Sequence, residues 1–375
     1  MIVGGGTAGS IIASRLATNL RDAVADGSVQ IHLLSVSDDH LYGPGLLYVG
    51  LGMDSPRHLH RRESDLLPRG VQAHFGGVAA IDRERREVIA ADGARFGYDH
   101  LVLATGSIPD MSEVPGLKAG GHEFYTEEGA VRLGAALEGF AGGRILLTVG
   151  VPHKCPVAPL EFTYLLHDQL TRRGLRGKTE ILYTYPLGRV HSLEACAPWA
   201  EEEMRQRDIH IETFVNMERV DPERRIVSTM EGEDIPYDLL VAIPPHHGAP
   251  FLGESGLAGP GNWVPTDPHT LRVKGEEDVY AVGDTTDLPL SKAGSTAHYE
   301  AEVVAANLAD ALRGYPPLRR YDGKVFCFIE TGNGEASYVT FDYAHPPRPV
   351  PSSRLLHLFK LAFNAAYWLT PQGIL

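Results

Sequence analysis

The turn Gly4-Gly5-Gly6-Thr7-Ala8-Gly9 constrains this chain most: it lies between the short apolar run Met1-Ile2-Val3 and a helix-like stretch from Ser10 to Asn19. Gly4, Gly6 and Gly9 fill a G-x-G-x-x-G spacing. The first glycine allows a sharp turn, the second lets a pyrophosphate approach the backbone, and the third lets the helix pack on the strand. Thr7 and Ala8 lie within this turn, and the helix after it turns its amides and positive dipole to the anion. A strand-like run, Val29 to Leu34, follows at the distance a βαβ unit requires. An acid usually ends that strand and holds a ribose. Ser35 stands there instead, with a hydroxyl that still reaches ribose, and Asp38 is nearby.

Two more strand-like runs end in glycine, Asp99 to Gly106 and Asp278 to Asp284, the latter followed by a helical pattern from Ser295 to Leu312. Between them the pattern repeats as a second α/β unit: strand Arg144 to Val149, helix Ala158 to Arg173, strand Glu180 to Tyr185, helix Pro198 to Arg207 and strand His210 to Phe214. Short strands at Val325 to Ile329 and Ser337 to Asp342 precede a proline-rich linker and an apolar tail. The alternation predicts an α/β fold with parallel sheets.

Composition narrows the function classes. Lys and Arg total 34 against 48 Asp and Glu, a net charge of −14, which argues against nucleic acid as a partner. Three cysteines in 375 residues are too few for a disulfide scaffold and act, if at all, as individual thiols. No apolar run reaches the roughly 18 residues of a spanning helix. The N-terminus lacks the basic and apolar regions of a signal peptide, so a soluble or peripheral cytosolic protein is the expectation. No metal site is expected: His58 and His60 sit among Arg57, Arg61 and Arg62, which repel a cation.

At this point the chain resembles the flavoproteins with two dinucleotide-binding domains, a superfamily that includes disulfide reductases and type II NADH dehydrogenases. The Gly4–Gly9 motif, the Ala104-Thr105-Gly106 turn and Gly283-Asp284 carry the resemblance, in order and at suitable distances. It implies FAD as cofactor, with Asp284 on the ribityl hydroxyls and the following helix pointed at the flavin pyrimidine ring. Ser35, Pro44 in Tyr42-Gly43-Pro44-Gly45, Val78, Thr105, Gly106 and Lys292 complete the implied cofactor site. The implied architecture is two Rossmann-like domains of the FAD/NAD-linked disulfide reductase type. Residues 1–110 and 250–312 would form the FAD domain, 111–249 the second domain, and 313–375 a C-terminal region.

The second unit departs from a nicotinamide site. Its first turn reads Gly150-Val151-Pro152-His153-Lys154-Cys155-Pro156, with prolines and bulky side chains where glycines would admit a pyrophosphate. Its second strand runs Tyr183-Thr184-Tyr185-Pro186 with no acid for a ribose, so NAD(P)H is not the expected donor. Cys155 is expected to open a helix, where the dipole and its neighbours Lys154 and His153 would lower its pKa. The segments Cys155 to Phe162 and Val325 to Gly334, which contains Cys327, resemble the two redox-cysteine segments of the sulfide:quinone oxidoreductases. Ile243 to Gly248 and Ser291 to Gly294 add to the likeness.

That resemblance implies a reaction. Hydrosulfide attacks a Cys155–Cys327 disulfide or bridging polysulfide, one sulfur becomes a persulfide, and the other leaves as a thiolate that passes two electrons to FAD and on to a quinone. Glu161 is a proton carrier for sulfide or quinone, or else a helix-face carboxylate with no task. His122 and His191 are weaker proton-transfer candidates. The stretch Gly120 to Thr126 lacks the extra cysteine that many members carry, so non-covalent FAD is expected; Cys196 reads as a bystander. The tail, acid-free from Ala344 onward and bearing Arg348, Arg354 and Lys360, is expected to lay residues 352–375 on the cytoplasmic face of a membrane and give quinone access. A homo-oligomer is expected. The alternatives are a flavocytochrome-type sulfide dehydrogenase with a heme partner, an NADH:quinone reductase, or a non-catalytic FAD-binding protein.

Overall fold

A computed structural model of the chain describes residues 1–374; Leu375, the last residue of the expected membrane tail, lies outside them. Two parallel sheets organise the molecule. The first orders its strands Val279–Ala281, Leu101–Leu103, Ile2–Val3, Ile31–Ser35 and Val71–Phe75. The triplet Leu101–Leu103 is buried throughout, as a strand covered on both faces must be. Helix Thr7–Asn19 covers one face beside helix Gly294–Leu312, with Ile11, Ile12 and Ala301 buried between them. An antiparallel meander, Val78–Asp82, Glu87–Ala90 and Arg95–Gly97, lies on the other side of the Val3–Leu34 layer.

The second sheet orders His210–Thr213, Thr179–Tyr185, Gly143–Val149 and Leu239–Ile243, again all parallel. The two chain crossings between the sheets pair with each other, Ile108–Pro109 antiparallel to His246–His247. A hairpin, Val325–Gly332 with Glu335–Phe341, then packs on helix Ala158–Arg172 through Val325, Ile329, Val339 and Phe341. Helix Arg354–Ala366 follows, its first turn capped by the Ser353 hydroxyl accepting from the Leu356 N–H.

Observed boundaries fall within a few residues of those the pattern predicts, with one exception that matters. Helix Ala158–Arg172 begins where the pattern places it, but Cys155, expected to open a helix, stands in the turn before it, held there by Pro156 and its own positive φ. Cys155 and Glu161 are therefore not on one helix.

Candidate active site

The first turn is built as an anion cradle. Gly4 has φ +112°, and a Cβ there would stand 2.2 Å from the Ala104 carbonyl oxygen. A Cβ on Gly9 would meet the Gly4 oxygen at 1.9 Å, so both positions require glycine for the protein's own packing. Gly6 differs: no protein atom lies within 4 Å of its would-be Cβ, which leaves the space a pyrophosphate needs. Neither a side-chain cap nor a first-turn acid competes for the positive end of helix Thr7–Asn19. Ser35 sits against Gly5, and Val78 begins the meander beside the Ser35 strand end.

Thr105 and Gly283 stand beside this turn, with Gly106 and Asp284 next to them in sequence. The Thr105 hydroxyl donates to Thr285 at 2.9 Å, Ser107 donates to Asp284 at 3.4 Å, and Gly106 (φ +68°) faces open space. Gly283 donates its N–H to the fully buried Glu300, whose burial pushes its carboxyl up to about 8. Lys292 is not a solvated lysine: its ammonium donates to the Asp284 and Thr286 carbonyls at 3.0 and 2.6 Å and lies 4.1 Å over the Trp263 ring. Pro44 sits in the short turn Gly43–Gly45. The glycines, the open space and the donor set fit FAD.

The second turn is built for a thiol. Cys155 holds φ +54°, a left-handed conformation unusual for a residue with a side chain. It is held there by its N–H donating to the Lys292 carbonyl at 2.6 Å and its carbonyl accepting from Ala158 at 2.9 Å. Cys327 lies on strand Val325–Gly332, where the next-door Phe326 N–H donates to the Ser295 hydroxyl at 3.2 Å. The four residues Lys292 to Ser295 thus hold both cysteine segments, and their Cα path extends at most about 11 Å. Both thiols are half-buried, unpaired, and packed on the same apolar core.

Burial sets their chemistry, and it corrects the expected pKa. It raises both thiols, and a Cys155 thiolate raises Cys327 further. Among the charges that pull Cys155 back down, the largest comes from Lys360 in the C-terminal helix, with Lys154 a smaller one. His153 contributes no cation, because burial holds its imidazole near pKa 4.

The C-terminal helix turns its polar side inward. His357, Lys360 and Asn364, spaced i, i+3, i+7, face the protein, while Leu355, Leu358, Phe359, Leu361 and Phe363 are 45–59% exposed. Lys360 is buried against Glu161 in an ion pair, and its burial lowers its pKa to about 7. Glu161 also accepts from the Glu330 N–H at 3.4 Å, and the buried Glu330 carboxylate bonds His357 at 2.9 Å. Glu161 was singled out in the sequence, but the rest of this acid–base group, Lys360, Glu330 and His357, was not. The inward spacing of three polar residues within an apolar helix was the signal for Lys360 and His357.

The remaining candidates separate. His191 is buried with Nδ1 accepting from Leu193 at 2.9 Å, while His122 is half-buried and joined through its backbone to Val241 and Leu240. Cys196 is buried in the short turn Glu194–Cys196, its thiol raised to about 11. His58 and His60 are paired with Asp54 and with Asp39 and Glu127. One group absent from the sequence reading, Asp110, Glu113 and His247, places three possible ligand atoms within 4.8 Å at the surface, where the His247–Glu113 pair already accounts for it. Between the second turn and residues 287–292 lies a cavity of about 540 Å³ lined by Pro152, His153, Pro156, Trp263 and Lys292.

Residues 1–147 match the family model for pyridine nucleotide-disulphide oxidoreductases. The chain is 26% identical over 359 residues to the mitochondrial sulfide:quinone oxidoreductase of Mus musculus, covering 92% of this chain and 78% of that protein. It is 23% identical to the sulfide-quinone reductase of Aquifex aeolicus, covering all of this chain and 91% of that one. The crystal structure of the sulfide:quinone oxidoreductase from that bacterium superposes with a TM-score of 0.87 at 21% identity, over 99% of this chain and 91% of its own. Fold and matches define an FAD-dependent oxidoreductase with two Rossmann-like domains. Within that class the chain is similar over 92–100% of its length to sulfide:quinone oxidoreductases, at 23–26% identity.

Proposed function

We propose that this protein oxidises sulfide to sulfane sulfur through Cys155 and Cys327, with electrons passing by way of bound FAD to quinone. One observation carries the reading of the site. The turn that would bind a nicotinamide cofactor instead holds Cys155 on the carbonyl of Lys292, three residues from the hydroxyl that seats the Cys327 strand.

With the two cysteines as a disulfide, hydrosulfide attacks one sulfur. The Cys–Cys bond breaks, a bond to the incoming sulfur forms, and the other cysteine leaves as a thiolate. A second hydrosulfide takes the sulfane sulfur as hydrodisulfide and restores the first thiol. Re-forming the disulfide then releases two electrons, so that two hydrosulfides yield one hydrodisulfide, two electrons and a proton. FAD supplies the two-electron acceptor between the thiols and quinone.

The chain's own groups meet the charge and proton demands. Gly4, Gly6, Thr7, Ala8 and Gly9 hold the pyrophosphate, with Ser35 and Val78 at the adenosine end. Thr105, Gly106, Gly283 and Asp284 hold the ribityl chain, and Pro44 and Lys292 border the ring. Lys360 in its protonated form stabilises a leaving thiolate at Cys155. Glu161, in contact with Lys360, holds the proton that sulfide releases or quinone takes up.

Membrane contact belongs to the same proposal. None of the described helices is long and apolar enough to cross a membrane. The exposed face of helix Arg354–Ala366 continues into Phe326 and Phe328, both near Phe363, giving an aromatic surface suited to a bilayer interface and to a quinone headed for the cysteines. Peripheral binding at the cytoplasmic face and a homo-oligomeric state rest on the family resemblance alone. The test of the reaction is stoichiometric. Sulfide and decylubiquinone should yield sulfane sulfur, read by cyanolysis, and quinol in a 1:1 ratio; quinol without sulfane sulfur would overturn the proposal.

A further inference from the structure

The end of the chain lies along the helix that carries the FAD motif. The Tyr367 hydroxyl is 2.8 Å from Thr7 Oγ1, inside the Gly4–Gly9 motif itself. Two turns further along the same helix, Ser14 donates to the Pro371 carbonyl at 2.8 Å, and Gly373 packs against Ser14 and Arg15. We infer that residues 367–373 form a strap that holds the FAD-binding helix in its binding conformation, with Tyr367 as a positioning residue for the cofactor site.

A buried polar chain explains how the strap is fixed. The Tyr367 hydroxyl also lies 2.7 Å from His40 Nε2; His40 Nδ1 bonds Glu63 at 2.5 Å, and the other Glu63 oxygen accepts from Ser10 at 2.6 Å. Glu63 is fully buried and His40 nearly so. A buried network of this kind is tolerable only when each member has its partner. Three of its members, Ser10, Glu63 and His40, belong to the FAD domain, and the fourth comes from the tail. An undocked tail would leave His40 Nε2 without that partner and Thr7 without its neighbour. Ring packing reinforces the seat: Tyr42 lies 4.5 Å from Tyr367, and Arg61 lies 5.1 Å over Trp368.

The consequence is reciprocal. If the docked tail favours the helix that binds FAD, then bound FAD favours the docked tail by the same factor. The inference needs FAD as the cofactor but not sulfide as the substrate, so its test involves no turnover. On dilution of the holoenzyme, release of FAD read by flavin fluorescence should be at least about fivefold faster in Tyr367→Phe, which keeps the ring and loses only the hydroxyl. Adding Tyr367→Phe to Thr7→Val should change the release rate by less than in the wild-type background, because the two hydroxyls act as one unit. In the wild-type protein, chymotrypsin should cut near Leu358 and Phe359 at least fivefold faster without FAD than with it. Unchanged FAD release in the folded Tyr367→Phe protein would overturn the strap. Equal cleavage of wild-type apo- and holoprotein would do so independently, however the variants fold.

Discussion

The two βαβ turns of this molecule share one architecture and diverge in chemistry. In the turn Gly4–Gly9, two glycines are required by the protein's own packing and the third, Gly6, faces open space. In the turn Gly150–Pro156, the residue with positive φ is Cys155, with prolines on either side of the His153-Lys154-Cys155 run. The same strand-to-helix junction carries open space above a glycine in one sheet and a cysteine in the other, and on the proposed function these serve an anion and a redox thiol. A Rossmann-like unit defines where a reactive centre stands, and the residues of its first turn decide what that centre is.

The largest effect should come from the thiol turn. Cys155→Ser is expected to lower sulfide-dependent quinone reduction by at least about 1000-fold, with FAD content unchanged; retention of more than a tenth of the rate would break the contrast between the turns. Gly6→Val probes the other turn. Its added carbons meet ligand space rather than protein, so the FAD dissociation constant should rise by roughly 100-fold, about 2.7 kcal/mol, while thermal unfolding of the apoprotein stays put. A destabilised apoprotein would mean that Gly6 serves packing, as Gly4 and Gly9 do.

Next in size is the charge at the thiol turn. Removing the Lys360 cation should raise the Cys155 pKa, since a nearby positive charge favours the thiolate. Iodoacetamide alkylation of Cys155, followed by peptide mapping, should run about tenfold slower in Lys360→Met at pH 6, where wild-type Lys360 carries its proton. The wild-type protein should lose this assistance as pH rises through about 7, where Lys360 gives up its proton. Equal rates at that pH would remove Lys360 from the site. The smallest effect is at the tail: Leu358→Asn should weaken flotation with anionic vesicles by about fivefold, a loss of roughly 1 kcal/mol of apolar contact. FAD binding should not change, because Leu358 points away from the protein.

Much of this was legible from local pattern. Glycine spacing with flanking apolar runs marked the first turn, and most strands of both parallel sheets followed from pattern, but Val71–Phe75 and Leu239–Ile243 did not. The prolines and bulky side chains that follow Gly150 in the second turn marked the same place as different. What escaped depends on contacts between distant segments. Lys360 meets Glu161 across 199 positions, and Tyr367 meets Thr7 across 360. An apolar tail with one lysine reads as a surface helix until the fold turns that lysine inward. The depressed thiol pKa expected of Cys155 was inferred from its neighbours in sequence. Burial reverses the net direction, and the strongest opposing charge arrives from the far end of the chain.

The most direct test of the central claim is an anaerobic titration of the FAD-loaded protein, following flavin absorbance near 450 nm. Hydrosulfide should bleach the flavin rapidly, decylubiquinone added afterwards should restore the colour, and NADH alone should leave the spectrum unchanged. Rapid bleaching by NADH with no response to hydrosulfide would show that the second turn still serves a nicotinamide, and would contradict the account at its root.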